Sequence, residues 1–473
     1  MKVAIVGSGI SACAAAVRLK EKGIDFTLFE KEASVGGKLI TERIDDFIIE
    51  GGPDSFLPEK RWTLDLIKEV GLKGELLPTN EQNKGTYIYS RGRLHRLPEG
   101  VMLMVPTMIM PLLRSSLISW PGKIRMGMEF FIPKKKDGEE ESLARFVTRR
   151  LGRECLDKIA EPLVAGIHTS NPDNMSVRAI FPRFLDMERK YGSLIRGMTR
   201  IGKNGRPQGG SDTGMTYFMS LKQGMQSLSQ ASFSFMGAEN IAAKSDVRQI
   251  SKTPGGYRLL IGSEQMSFDA VVLTVPSYAA SGMIRAMDPA LAERLSSIEW
   301  SSTATISLAF KKSDVLFRLP GFGFLVPRIE KRRINAATWS SVKWSFRAPL
   351  DHVLVRCFVG GGHDEELVSY DDADLIGVVL EELGEIAGIR ARPDLTRIFR
   401  WMKSMPRYTV GHLDRIARID ETLGAYPGLY LIGSSYRGIG IGDCVKSGFD
   451  AAEEIGRLCP SAPSKETSVA KLL

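Results

Sequence analysis

A strand, a glycine turn and a helix follow one another within the first 22 residues, and that order leaves few folds open. Lys2–Val6 is a short apolar run that reads as a buried strand. Gly7-Ser8-Gly9-Ile10-Ser11-Ala12 follows at once, and residues 13–22 read as a helix. The spacing is Gly-x-Gly-x-x-Gly/Ala in the strand–turn–helix context that gives it meaning. Gly7 permits the tight turn, Gly9 lets backbone approach a pyrophosphate, and small Ala12 packs the helix on the strand. The helix start offers N–H groups and positive dipole to phosphates. A second strand, Asp25–Phe29, ends at Glu30, near the offset where an acid accepts ribose hydroxyl bonds. A dinucleotide site in a doubly wound unit is the expectation. A glycine turn without a ligand is the plainer alternative.

Lys31 and then Gly36-Gly37-Lys38 follow Glu30. A glycine pair shortly after the ribose acid is typical of glutathione-reductase-like flavoproteins, so FAD is preferred to NAD. The far end agrees. Residues 428–432 read as a strand closed by Gly433, and residues 438–448 (Gly-Ile-Gly-Ile-Gly-Asp-Cys-Val-Lys-Ser-Gly) open a helix. Such a turn suits a flavin lying on bare backbone amides.

At 473 residues the chain exceeds the roughly 250–300 at which single cores stop growing, so two or three domains are expected. Its 43% hydrophobic and 25% charged content excludes disordered and fibrous classes. Five scattered cysteines without Cys-x-x-Cys, and five histidines without His-x-x-x-His, argue against a disulfide frame or a metal centre and for a reducing cytoplasm. The opening apolar run is too short for a signal peptide, and no apolar stretch reaches the ~18–20 residues that span a bilayer. The +9 formal charge comes without any nucleic-acid-binding motif, so an anionic substrate or membrane surface is the preferred partner and nucleic acid is not, with a mildly basic surface of no functional meaning as the plainer alternative.

The fold class expected is α/β (α+β overall): a discontinuous glutathione-reductase-like FAD domain with an inserted antiparallel-sheet substrate domain and a mostly helical insert. The FAD-binding domain is expected over residues 1–75, 215–285 and 425–458, and the substrate domain over 76–98 and 286–424. A helical pocket or membrane-associating subdomain covers 99–205, and 459–473 forms a disordered tail. Residues 86–98 read as a hairpin turning at Arg91-Gly92. Residues 302–310, 323–326, 333–339 and 352–359 read as strands, 371–387 as an amphipathic helix, and 202–214 as a linker. In the helical part, residues 101–113 are apolar, broken by Pro106 and Pro111, rich in methionine and followed by Arg114, Lys123 and Arg125. Such a segment lies in a membrane interface without crossing it, or else forms ordinary core. Cytoplasmic placement with peripheral attachment to the inner face of the cell membrane is one expectation, and a fully soluble enzyme the other.

Several runs are more particular: Gly52-Pro53-Asp54-Ser55-Phe56-Leu57, Gly166-Ile167, Gly321-Phe322-Gly323-Phe324-Leu325-Val326-Pro327, Pro406-Arg407-Tyr408-Thr409-Val410-Gly411-His412, and Tyr436-x-Gly438-Ile439-Gly440-Ile441-x-Asp443-Cys444-x-x-Ser447-Gly448. Taken in order from residue 1 to about 455, the chain resembles the protoporphyrinogen/coproporphyrinogen oxidase family, bacterial type. These are oxygen-dependent FAD flavoproteins of haem synthesis.

The resemblance implies six-electron oxidation of coproporphyrinogen III or protoporphyrinogen IX, in three two-electron rounds with three O2 reduced to H2O2. The pyrrole nitrogen lone pair drives each round, so no catalytic acid–base residue is assigned. Implied FAD contacts are Gly7, Ser8, Gly9, Ile10, Ser11, Ala12, Glu30, Lys31, Gly37, Lys38, Gly52, Pro53, Asp54 and Ser55. Val247 is implied at the adenine, and Ser434, Ile439, Gly440 and Ile441 at the isoalloxazine and ribityl parts. Phe322 and Leu325 are implied to sandwich a pyrrole ring, with the carbonyl near Gly166 accepting pyrrole N–H bonds from the other side. Met102 stands where animal and plant members carry a propionate-binding arginine. That leaves Arg91, Arg93, Arg96, Arg407 and Arg437 as other candidates. A homodimer, or contact with the next haem-pathway enzyme, is an open expectation. A flavin amine oxidase or phytoene-desaturase-like enzyme is the alternative, against which Asp443-Cys444 speaks. A non-catalytic flavin-binding scaffold is the remote one.

Overall fold

The computed structural model describes residues 1–458 apart from 103, 107, 136–137, 169, 205–214, 316–320 and 363. The expected tail and most of the expected linker lie outside the described residues, as does the Met102 side chain. At the centre is a five-stranded parallel sheet in the order Ile241–Ala242, Asp25–Phe29, Lys2–Val6, Ala270–Leu273, Leu429–Leu431. The beginning, middle and end of the chain therefore lie side by side in one sheet. Its strands are apolar on both faces because both are covered. One face carries the helices Ile10–Glu21, Gln226–Met236 and Ile441–Leu458. The other carries the antiparallel strands Val247–Thr253, Gly256–Ile261 and Glu264–Phe268, with the helices Ser277–Ile284, Pro289–Ser296 and His412–Leu423.

A seven-stranded sheet forms the second layer system, in the order Leu395–Pro406, Trp300–Lys311, His352–Gly360, Ala336–Trp339, Gly323–Leu325, Tyr87–Ser90, Arg93–Arg96. It was expected to be antiparallel throughout, but Gly323–Leu325 runs parallel to Tyr87–Ser90. The connection between those strands carries the helical insert, so no hairpin dictates their direction. The 12-residue strand Leu395–Pro406 is an addition to the strands read from sequence. The hairpin turns at Arg91-Gly92, with φ of 52° and 75°. Both residues are left-handed, as a twisted two-residue turn requires.

Alternation across this sheet separates two environments. Ala304, Ile306, Leu308, Val355 and Cys357 face the helix Asp372–Ala387 in an apolar core. Thr305, Ser307 and Arg356 point the other way, toward the loop after Phe47–Glu50. Near the hairpin, Ile88 and Leu325 join the core of the helical subdomain, whereas Tyr89 and Phe324 join that of the sheet. The helical subdomain itself runs from Ile109–Arg114 to Leu194–Asn204.

Candidate cofactor and substrate site

The helix Ile10–Glu21 begins on Gly9 with no side-chain cap and no acidic residue in its first turn. Its first N–H groups are thus offered to an external anion. Gly7 takes φ +97°, and a Cβ there would stand 2.6 Å from Thr274 Oγ1. A Cβ on Gly9 would meet nothing within 4 Å, so the backbone faces open space there, while Gly37 backs onto the Gly9 Cα. Glu30 is anchored to this turn. One carboxylate oxygen accepts from Ser8 N–H (3.1 Å) and the Ser8 hydroxyl (2.6 Å), and the other accepts from Glu32 N–H (3.0 Å). The Ser8 hydroxyl in turn accepts from Gly36 N–H at 3.0 Å. Ser245 N–H donates to the Glu30 carbonyl (2.8 Å), which brings the buried Val247 close to the same corner. Lys31 is exposed and lies 3.5 Å from Glu32.

The chain's far end closes on this turn. Gly433 N–H donates to the Ser447 hydroxyl (3.2 Å), and a Cβ on Gly433 would lie 3.4 Å from Ser11 Oγ. Gly448 sits against the Ser11 carbonyl so closely that any Cβ would collide with it. Ile441 and Cys444 are buried, while Ser434, Ile439 and Gly440 are half-buried. Asp443 pairs with Lys60. Lys38 donates to the Ser404 carbonyl and lies over the Trp300 ring. Burial lowers its pKa to about 8. Cys444 is pushed up to about 11 by burial, with Ser11 and Lys38 pulling the other way, so it is a neutral packing group near neutral pH.

The loop Gly51–Ser55 is held from the seven-stranded sheet. Gly51 O accepts from Trp401 Nε1 (2.9 Å), Thr305 Oγ1 (3.2 Å) and Arg356 (3.2 Å), and Gly52 O accepts from Arg356 at 2.6 Å. Gly52 lies so close to the Lys38 carbonyl that a Cβ has no room. Pro53 is exposed. The Asp54 carboxylate is engaged by Lys343 (2.9 Å), Trp344 Nε1 (3.1 Å) and Ser55 (2.7 Å). Burial opposes its ionisation, but Lys343 and Arg356 outweigh that and hold it well below the usual carboxylate range. Arg356 itself was legible only as a cation inside the apolar run His-Val-Leu-Val-Arg-Cys-Phe-Val.

Of the residues expected at the substrate, Gly166 and Leu325 meet. A Cβ on Gly166 would stand 3.3 Å from Leu325 Cδ2. Phe322 is half-buried just before the strand Gly323–Leu325, and its neighbour Phe324 is the one that fills core, edge-on to Trp339 at 5.6 Å. Phe322 precedes the strand that Leu325 ends. They are three residues apart, and Gly323 between them takes φ +141°. Of the arginines, Arg407 pairs with Glu365 (2.7 Å), Arg437 with Asp420 and Arg96 with Glu99 (3.2 Å). Arg91 and Arg93 are exposed on the hairpin.

An uncapped helix start, an acid anchored beside it and a second glycine turn packed at Ser11 fit FAD, as a flavin-dependent oxidoreductase requires. Residues 10–456 match the family described as flavin containing amine oxidoreductase, and the chain belongs to that family. Its cofactor is FAD. The chain is 35% identical to the coproporphyrinogen III oxidase of Bacillus subtilis (strain 168), over 96% of this chain and 97% of that one. It is 28% identical to the mitochondrial protoporphyrinogen oxidase of Nicotiana tabacum, over 96% and 94%. A crystal structure from Exiguobacterium sp. 255-15, assigned as a protoporphyrinogen oxidase, superposes with a TM-score of 0.84 at 34% identity, covering 97% of this chain and 99% of the other.

Proposed function

We propose that the protein is an FAD-dependent porphyrinogen oxidase of haem biosynthesis that takes coproporphyrinogen III to coproporphyrin III. One observation carries the reading: the glycine turns from the two ends of the chain pack together at Ser11, Gly433 and Gly448 while Gly9 faces open space. The higher identity to a coproporphyrinogen III oxidase than to a protoporphyrinogen oxidase favours that substrate. The chemistry that bound FAD supplies is three rounds of two-electron oxidation, with three O2 reduced to H2O2. The chain's own residues bind and orient. Ser8, Glu30 and the start of the helix hold the nucleotide half, and residues 434–441 hold the ring half. Leu325 and the Gly166 backbone line the substrate side. No side chain is assigned a proton, because the pyrrole N–H releases its own.

Porphyrin fluorescence under air tests the reading. Fluorescence should develop with coproporphyrinogen III and more slowly with protoporphyrinogen IX. Failure with both substrates, with the flavin still oxidised after anaerobic mixing, would reject it. The reversed preference would reject the substrate choice alone.

We further propose peripheral contact with a lipid surface. Met108, Ile109 (68% exposed), Met110, Trp120, Ile124, Met128 and Phe131 (84% exposed) present one stretch of exposed apolar side chains. The cations expected to help are mostly turned inward. Lys123 donates to the Leu113 carbonyl, and Arg125 to the carbonyls of Thr148, Arg149 and Arg150. Only Arg114 of the three is exposed.

A further inference from the structure

The run Pro406–His412 has no part in the proposed reading, although three regions of the molecule meet on it. It leaves the end of the strand Leu395–Pro406. The buried Tyr408 hydroxyl donates to the Ser434 carbonyl (2.7 Å) and accepts from the Gly438 N–H (2.7 Å), one bond at each end of the same turn. Those two groups lie between the strand Leu429–Leu431 and the helix Ile441–Leu458, where neither sheet nor helix pairs them. Burial pushes the Tyr408 phenol well above the ordinary tyrosine range, so its hydroxyl stays protonated and remains a donor. The ring stacks on His412 at 4.0 Å and 14°, and His412 Nε2 lies 2.8 Å from the Tyr436 carbonyl of the same turn. On the opposite side, Ser176 N–H donates to the Tyr408 carbonyl (2.8 Å) and Val410 N–H to the Asn174 carbonyl (2.8 Å). Gly411 N–H donates to Glu140 (2.8 Å), whose carboxylate also accepts from Ser176.

We infer that Tyr408 is a positioning residue: it fixes the turn that holds the flavin ring and ties that turn to the helical subdomain lining the substrate side. The inference rests on the assignment of residues 434–441 to FAD. Tyr408→Phe keeps the ring on His412 and removes only the hydroxyl, leaving the Gly438 N–H and Ser434 carbonyl unsatisfied. The variant should retain its full FAD content and show a shifted visible flavin band. Its kcat should fall about tenfold with KM changed less than about twofold. Amide hydrogen exchange should speed up over residues 434–440 and stay unchanged in the helix Asp372–Ala387. Glu140→Ala removes the contact to Gly411, leaving the Ser176 and Asn174 bonds, and should shift the band in the same direction by less.

An unchanged band and unchanged exchange in Tyr408→Phe overturn the inference. So does a kcat loss that comes with a lower Tm and faster exchange throughout the chain. An unshifted band in Glu140→Ala overturns the part given to Glu140 in the tie to the helical subdomain. A wild-type chain that binds no FAD brings down the flavin assignment and this inference together. A flavin-bound wild type with an insensitive Tyr408→Phe brings down this inference alone.

Discussion

Glu30 reaches the glycine turn through Ser8, which donates twice to one carboxylate oxygen. Replacing it therefore loosens the turn as well as removing ribose acceptors. Glu30→Ala should weaken FAD binding by about 1.5–3 kcal/mol, the worth of charge-assisted hydrogen bonds, as read by flavin titration of the stripped protein. Unchanged affinity would remove Glu30 from the site. His412 gives a pH dependence. Burial lowers its pKa from 6.5 to about 4, the Tyr436 carbonyl pulls it up, and Arg415 and Arg437 push it further down. Between those values the unfolded chain binds the proton and the folded chain does not, so stability falls as pH drops from 6.5 toward 4 and this contribution is level above 6.5. Thermal melts across that interval should slope less in His412→Gln than in the wild type. Equal slopes would show that other groups set the acid limit. Gly7 and Gly9 could be read from sequence because their constraints are local, a turn angle or a missing Cβ, and Glu30 because its offset from the glycine turn belongs to a recurring pattern. Tyr408 and Arg356 could not, because their partners lie 26 and 304 residues away.

Among the elements, the first and last helices show how much depends on one missing methyl. Ile10–Glu21 and Ile441–Leu458 approach backbone to backbone at Gly448 and Ser11. Gly448→Ala should force them apart and cost about 1–3 kcal/mol, the usual range for overpacking, with FAD affinity falling alongside Tm. A neutral Tm would mean the helices can slide past each other. Short strands in the parallel sheet were legible because Lys2–Val6 and Ala270–Leu273 are almost continuously apolar and end in turn residues. The strand Leu395–Pro406 was not. Its burial does not alternate, with only Ser404 and Pro406 buried and Arg397, Met402 and Lys403 exposed. The parallel pairing of Phe324 with Tyr87 is likewise unreadable, since register between distant short strands is fixed by packing and not by a turn.

For the whole molecule, the exposed apolar stretch from Met108 to Phe131 leads to a measurable partition. Among the described residues no helix is long and apolar enough to cross a membrane, so contact would be with one leaflet only. The protein should float with phospholipid vesicles, and Ile124→Ser combined with Phe131→Ser should abolish flotation while leaving activity in detergent-free buffer intact. With Lys123 and Arg125 directed inward, salt should weaken flotation only modestly. Strong loss at high salt would place the attraction on charges elsewhere, and a protein that never floats would end the proposal. Sequence alone left the apolar run 101–113, with the cations after it, open between interface and core, and the structure extends the exposed stretch to Phe131. Its methionines divide between the two, Met104 and Met126 buried, Met108, Met110 and Met128 exposed.

The central sheet also sets an order of events during synthesis. Its middle strand, Lys2–Val6, is flanked by Asp25–Phe29 and Ala270–Leu273, and Leu429–Leu431 completes the far edge. Contacts that span the chain close late, because their loop entropy must be met before they contribute. The nucleotide turn is therefore made before its partners in the sheet and finished after them. Until residues near 448 leave the ribosome, the helix Ile10–Glu21 has no partner on its exposed flank, and the apolar strand edges beside it need shielding. A product that stops within the insertions lacks Gly433 and Gly448, so it cannot close the turn at Ser11 against which a flavin would lie.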